Sequence, residues 1–158
     1  MNTMACRWGM RVAGALVLLA TAVAGVAADE DRVVRVKVDV ANIRSGPGTD
    51  HERLWAVERN FALQVLDQRG RWLKTVDFIG DEGWIYAPLT DQKPSVVVES
   101  DVANIRGGPG PRHAVRWVAE WGTGLRVLDR KGSWLKVEHA ERGQGWIHSN
   151  LVWGDTSP

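Results

Sequence analysis

Asn42, Arg44 and His51 recur, in the same order and at the same spacing, as Asn104, Arg106 and His113. These residue types recognise more readily than they react. A guanidinium holds a carboxylate through two parallel hydrogen bonds, and a carboxamide beside it both donates and accepts. Trp55 and Trp117 repeat in the same register, whereas Trp121 stands opposite Arg59. An indole offers a flat apolar face to a sugar ring or a peptide. The candidate ligand-binding set is therefore Asn42, Arg44, His51, Trp55, Asn104, Arg106, His113, Trp117 and Trp121. A structural role competes: the asparagines can bond to loop backbone, and the arginines can brace the loop against Asp39 or Asp101.

Catalytic chemistry has little to draw on. Cys6 is the only cysteine, and no G-x-S-x-G elbow, P-loop or dinucleotide-binding glycine motif occurs. The repeated carboxylates Asp39, Asp101, Asp67 and Asp129 fall where turns are expected. Metal binding is not expected either, since His51 and His113 sit in separate copies and His139 and His148 lack ligand spacing. The expectation is no catalytic residue, no metal and no cofactor.

These residues are embedded in a duplication. Residues 40–48 read V-A-N-I-R-S-G-P-G and residues 102–110 read V-A-N-I-R-G-G-P-G, an offset of 62 residues (102 less 40). The same offset superimposes L-x-V-L-D at 63–67 on 125–129, G-x-W-L-K at 70–74 on 132–136 and G-W-I at 83–85 on 145–147. About 26 of the 58 pairs starting at Val33 are identical, with no gap. A fixed register over that length marks two copies of one folding unit, here 33–90 and 95–153.

Each copy reads as β structure. Val34, Val36, Val38 and Val40 alternate with Arg35, Lys37 and Asp39, the period of a half-buried strand; 95–101 is flatter, V-V-V followed by E-S-D. Gly-Pro-Gly then ends the extended segment, leaving Ile43 and Ile105 toward a core and Asn42, Arg44, Asn104 and Arg106 on the polar side. About five short strands per copy, with turns at 67–70 and 129–132 and no sustained helical period, predict a small all-β barrel. Trp72, Trp134, Trp84 and Trp146 are expected to fill the two small cores. Residues 90–94 are the expected linker, spanning at most about 17 Å, so the barrels should lie close together. Trp121 and Trp153, which lack tryptophan counterparts, are candidates for contact with a partner or with the other copy.

The N-terminal segment has a different layout. Arg7 and Arg11 precede an apolar run from Val12 to Val23, and small residues end at Ala28 before Asp29. This is the pattern of a secretory signal peptide at 1–28, cleaved near Ala28, and it predicts a periplasmic or secreted protein. The formal charge of the whole chain is +1 from 20 basic and 19 acidic residues. Neither nucleic acid nor a membrane is an expected partner of the mature form, because it is near neutral and has no basic run.

N-I-R-x-G-P-G, V-L-D-x-x-G-x-W-L-K and G-W-I-H-S-N-L resemble, in that order, the bacterial SH3-type domain. The resemblance implies two SH3-like β-barrels in tandem. It also implies a non-catalytic cell-envelope binding module, with peptidoglycan or another wall component as partner. Any ligand groove would border the loop after the first strand, 42–51 and 104–113. The alternative is an adaptor that docks on, or modulates, another envelope protein. An SH3-type aromatic groove for proline-rich peptides is not expected, since Tyr86 is the only tyrosine and His148 stands at its counterpart.

Overall fold

The computed structural model describes residues 32–158; the signal segment expected at 1–28 lies outside the described residues. The first copy forms β1 (Val33–Val36), β2 (Val40–Arg44), β3 (Arg53–Glu58), β4 (Ala62–Arg69), β5 (Trp72–Val76), β6 (Glu82–Tyr86) and β7 (Thr90–Asp91). The second forms β8 (Ser95–Val98), β9 (Val102–Arg106), β10 (Val115–Glu120), β11 (Gly124–Lys131), β12 (Trp134–His139), β13 (Gly143–His148) and β14 (Val152–Gly154). A single 3-10 turn precedes the last strand of each, at Ala87–Leu89 and Ser149–Leu151.

The two sheets have identical topology, β3-β2-β6-β5-β4-β1-β7 and β10-β9-β13-β12-β11-β8-β14. The fold is all-β with two SH3-like units in tandem. Each ladder is open: its end strands, β3 and β7 or β10 and β14, are not hydrogen-bonded to one another. The unit has seven strands rather than the five expected, for two reasons. The extended run from Val33 breaks at 37–39 into β1 and β2, leaving Val40 61% exposed instead of continuing the buried face. The expected linker also supplies β7, which pairs with β1 through Arg35↔Asp91 and Val36↔Thr90.

The repeated motifs have visible causes. Ile43 and Ile105 are fully buried, as their parity predicts, and each lies against a glycine of G-W-I. A Cβ on Gly83 would run into the Ile43 side chain, and one on Gly145 into Ile105. Among the four tryptophans assigned to the cores, only Trp84 is buried; Trp72, Trp134 and Trp146 are half-buried. Aliphatic residues fill the interiors, with Ile43, Leu63, Leu73 and Ile85 in the first and Ile105, Leu125, Leu135 and Ile147 in the second. The tryptophans at 72 and 134 sit on the opposite strand face from Leu73 and Leu135. The expected turns at 67–70 and 129–132 shorten, because β4 and β11 run on to Arg69 and Lys131 across a bulge after Val65 and Val127.

The two copies pack against each other. Val97 of β8 belongs to the hydrophobic cluster of the first copy, and Trp153 packs on that cluster. A Cβ on Gly124 would come within 2.6 Å of the Phe61 backbone, and one on Gly154 within 3.1 Å of Ala62 Cβ. This explains why 95–98 shows no alternation: all four residues of β8 are buried, Val96 and Val98 in their own core and Val97 in that of the neighbour. A strand covered on both faces reads as a continuous apolar run.

Candidate functional site

The loop between β2 and β3 folds back on itself around a histidine. His51 lies over Gly46, where an added Cβ would sit 2.5 Å from the ring, and His113 does the same over Gly108 at 2.6 Å. The glycines of Gly-Pro-Gly thus admit a ring as well as forming a turn. Arg44 closes the loop by donating to the carbonyls of Thr49 (3.1 Å) and His51 (2.7 Å). Arg106 donates to the carbonyl of His113 at 2.9 Å. The bracing partners are therefore backbone carbonyls and not Asp39 or Asp101. Asp39 instead accepts from Arg59, at 2.9 Å.

Beside this loop the first copy has a groove of about 520 Å³, bounded by Val40, Asn42 and Arg44 of β2, by Thr49 and Asp50, and by Trp72, Tyr86 and Leu89. Trp72 and Tyr86 are directly opposite in the β5–β6 ladder, with ring centroids 5.4 Å apart. The Arg71 guanidinium lies 5.2 Å from the Tyr86 ring. Cross-strand aromatic pairs of this kind are stiff platforms, here with hydrogen-bonding groups along one side.

At the equivalent positions of the second copy, Trp134 meets His148 edge-on at 5.2 Å. His148 Nδ1 is engaged with Asn150 Oδ1 at 2.5 Å. Pro111 and Arg112 replace Thr49 and Asp50, so the charge beside the platform changes sign.

The structure brings Asn42 and Arg44 to one groove, and places Asn104 and Arg106 at the matching positions. His51 and His113 sit outside, against the loop glycines. Trp55 packs on the first core and Trp117 on the second. Trp117 also meets the His139 ring at 5.6 Å and the Arg142 guanidinium at 5.7 Å. Trp121, 52% exposed, meets Phe78 of the first copy at a tilted angle, with centroids 4.9 Å apart. Sequence reasoning missed Trp72 and Tyr86 as groove residues. The signal was present: in W-L-K the tryptophan shares a strand face with Lys74 and opposes the buried Leu73, and Tyr86 likewise opposes Ile85. Among the described residues, no group of three or more His, Cys, Asp or Glu side chains is arranged to hold a metal ion. No helix among them is long and apolar enough to cross a membrane.

A seven-stranded antiparallel ladder, a loop closed by N-I-R-x-G-P-G and an aromatic pair beside it define an SH3-like unit. The bacterial SH3 domain model matches residues 37–92 and again 99–154. The chain belongs to the bacterial SH3 domain family, with two copies in tandem. It is 24% identical over 128 residues to YrvJ of Bacillus subtilis, named as an N-acetylmuramoyl-L-alanine amidase, covering 74% of this chain and 24% of that one. It is 31% identical over 71 residues to LytH of Staphylococcus epidermidis, named as a cell wall amidase, covering 42% of this chain and 24% of LytH. The chain thus corresponds to about a quarter of the length of these curated relatives. Among solved structures it is similar to an NlpC/P60 family protein from Bacillus cereus, at 17% identity and a TM-score of 0.35, covering 79% of this chain and 57% of that one. That score is too low for the superposition to bear on function. These comparisons associate the two modules with cell-wall proteins.

Proposed function

We propose that this protein is a non-catalytic binding module of the cell envelope that recognises peptidoglycan through the first-copy groove. The observation that carries the reading is the Trp72–Tyr86 platform flanked by Asn42 and Arg44 in a groove of about 520 Å³. A sugar ring or peptide backbone lies on the aromatic faces, and Asn42 bonds to its polar edge. The guanidinium of Arg44 holds the loop through one nitrogen and meets a stem-peptide carboxylate with another. The naming of LytH as a cell wall amidase and of YrvJ as an N-acetylmuramoyl-L-alanine amidase supports the reading, as does the signal-peptide-like sequence of residues 1–28. In this reading the chain is exported, cleaved near Ala28, and works in the periplasm or outside the cell. Asn104, Arg106 and Trp134 form the corresponding surface in the second copy.

Co-sedimentation with purified sacculi tests this. The protein should pellet with sacculi at low salt, and Trp72→Ala and Tyr86→Ala should each leave it in the supernatant while keeping the fold. A wild-type protein that stays in the supernatant, or platform variants that pellet as well as wild type, would overturn the reading. Arg44→Ala with Arg106→Ala should weaken pelleting while keeping the fold.

A further inference from the structure

We infer that the cleft between the two copies is a second binding site, for a ligand carrying a primary ammonium group. It shares no residue with the groove of the first copy. The cleft encloses about 460 Å³, walled by β3 and Phe61 of the first copy and by β10, the turn at 121–123 and the β12–β13 hairpin of the second. It exists only because the copies pack together.

Trp121 is the platform. Half its surface faces water, yet it is held from behind: Phe78 lies 4.9 Å away, and Phe78 meets Phe61 edge-on at 6.1 Å. An indole fixed by two further rings and left open on one side is prepared for contact, since an unsupported exposed indole would be free to turn away. Trp117 lines the same cleft, with its indole N–H enclosed and without an acceptor.

Charge decides the occupant. Glu58, Glu120 and Glu141 line the cleft, and among the described residues none of their carboxylates is in an ion pair. Arg142, the cation beside them, is occupied, donating to the Val118 carbonyl at 3.2 Å and lying over Trp117. An anion would meet three carboxylates against the single Arg142 guanidinium, whereas an ammonium group meets that acidic excess together with an indole face, the combination that attracts cations. The copies diverge at this place: Trp121, His139 and Glu141 stand where the first copy has Arg59, Asp77 and Ile79.

An amino sugar and a lysine-type side chain both present this chemistry, so the purified protein is titrated at low salt with three probes. These are a glucosamine trimer, its fully N-acetylated counterpart and tri-lysine, followed by indole fluorescence and calorimetry. At least one amine probe should bind, the glucosamine trimer alone marking a glycan ligand and tri-lysine a peptide. The acetylated trimer should bind at least tenfold more weakly than the better amine. Trp121→Ala and the double variant Glu120→Gln/Glu141→Gln should each lose at least tenfold in affinity. The glutamates are exposed, so the double variant keeps the fold if Trp121→Ala loosens the interface. Absence of binding by both amines, equal binding of the acetylated trimer, or a smaller loss in the glutamate variant would overturn the inference. Trp72→Ala should leave amine binding unchanged even though it abolishes pelleting with sacculi, so failure of one site is distinguishable from failure of the other.

Discussion

At one rung of the ladder the two copies make opposite choices. β1 meets β7 through Arg35 and Asp91, and β8 meets β14 through Val97 and Trp153. In the first copy the rung is a two-bond ion pair, Arg35 Nε to Asp91 Oδ1 at 2.9 Å and Nη2 to Oδ2 at 2.6 Å. Its third donor, Nη1, reaches Asn60 Oδ1 at 3.1 Å. In the second copy the rung is apolar and completes the hydrophobic cluster of the first. Position in the fold is the same; what lies beyond the strand differs. Divergence after the duplication therefore records the neighbour each copy acquired.

Replacing each rung separately should expose that difference. Val97→Asp puts an uncompensated carboxylate where exposure is 0%, and should cost more than about 4 kcal/mol, the range of a buried unpaired charge. Urea unfolding reads the loss, with both copies melting together because Val97 belongs to the first core. A loss confined to the second copy would show that the copies are not energetically joined. Arg35→Val is the reverse exchange. It leaves Asp91, whose side chain is 26% exposed, able to take up water, and should cost about 1–3 kcal/mol.

Asn60 and Gly122 sharpen the comparison on the backbone side. Both occupy the left-handed region, at φ 70° and 79°, at the same place in the turn after the third strand. Gly122 does so without steric penalty. Asn60 uses the position to join Arg35 to the second copy, donating to the Glu138 carbonyl at 3.4 Å. Asn60→Gly should keep the turn and lose about 1 kcal/mol, whereas Asn60→Ala adds roughly 1 kcal/mol of left-handed strain. Equal stability of the two variants would break the argument. Arg44 and Arg106 differ less, since the first closes its loop with two carbonyl bonds and the second with one. Arg44→Ala should cost about 1 kcal/mol and Arg106→Ala roughly half of that, both bonds being exposed; thermal melts of the two variants give the order.

These contrasts also explain what was readable in advance. The duplication, the β class and the burial of Ile43 and Ile105 followed from register and period-two parity, which are local properties of the chain. Parity also separates Trp72 from Leu73, but the large apolar area of tryptophan argues for the core and masks that signal. A seven-stranded unit closed on aliphatic residues left that ring on the outer face. The continuous apolar run at 96–98 could not be read from one copy, because its cause lies in the other, and the buried Arg35 could not be read from strand parity, because its partners Asp91 and Asn60 are distant in the chain. His51 was legible as a repeated residue and not as the ring lying on Gly46, a contact set by how the loop closes.

Acid titration separates the two rungs by the smallest effect. Partial burial of Asp91, the largest single influence, raises its pKa. Against it act the hydrogen bonds from Arg35, the backbone N–H of Lys93 and the charges of both residues, and the net result lies below the ordinary 3.8. A carboxyl whose folded pKa is depressed contributes stability that is fully present above its unfolded value. That contribution is lost as pH falls through the folded value. The gap in unfolding free energy between wild type and Arg35→Val should therefore be constant above about pH 5 and shrink below about pH 4. The cost of Val97→Ala, which involves no titrating group, should change far less over the same range. Urea titrations at pH 3 and pH 6 compare them, and an Arg35→Val gap of equal size at both would mean that the guanidinium acts through packing and its bond to Asn60 rather than through the ion pair.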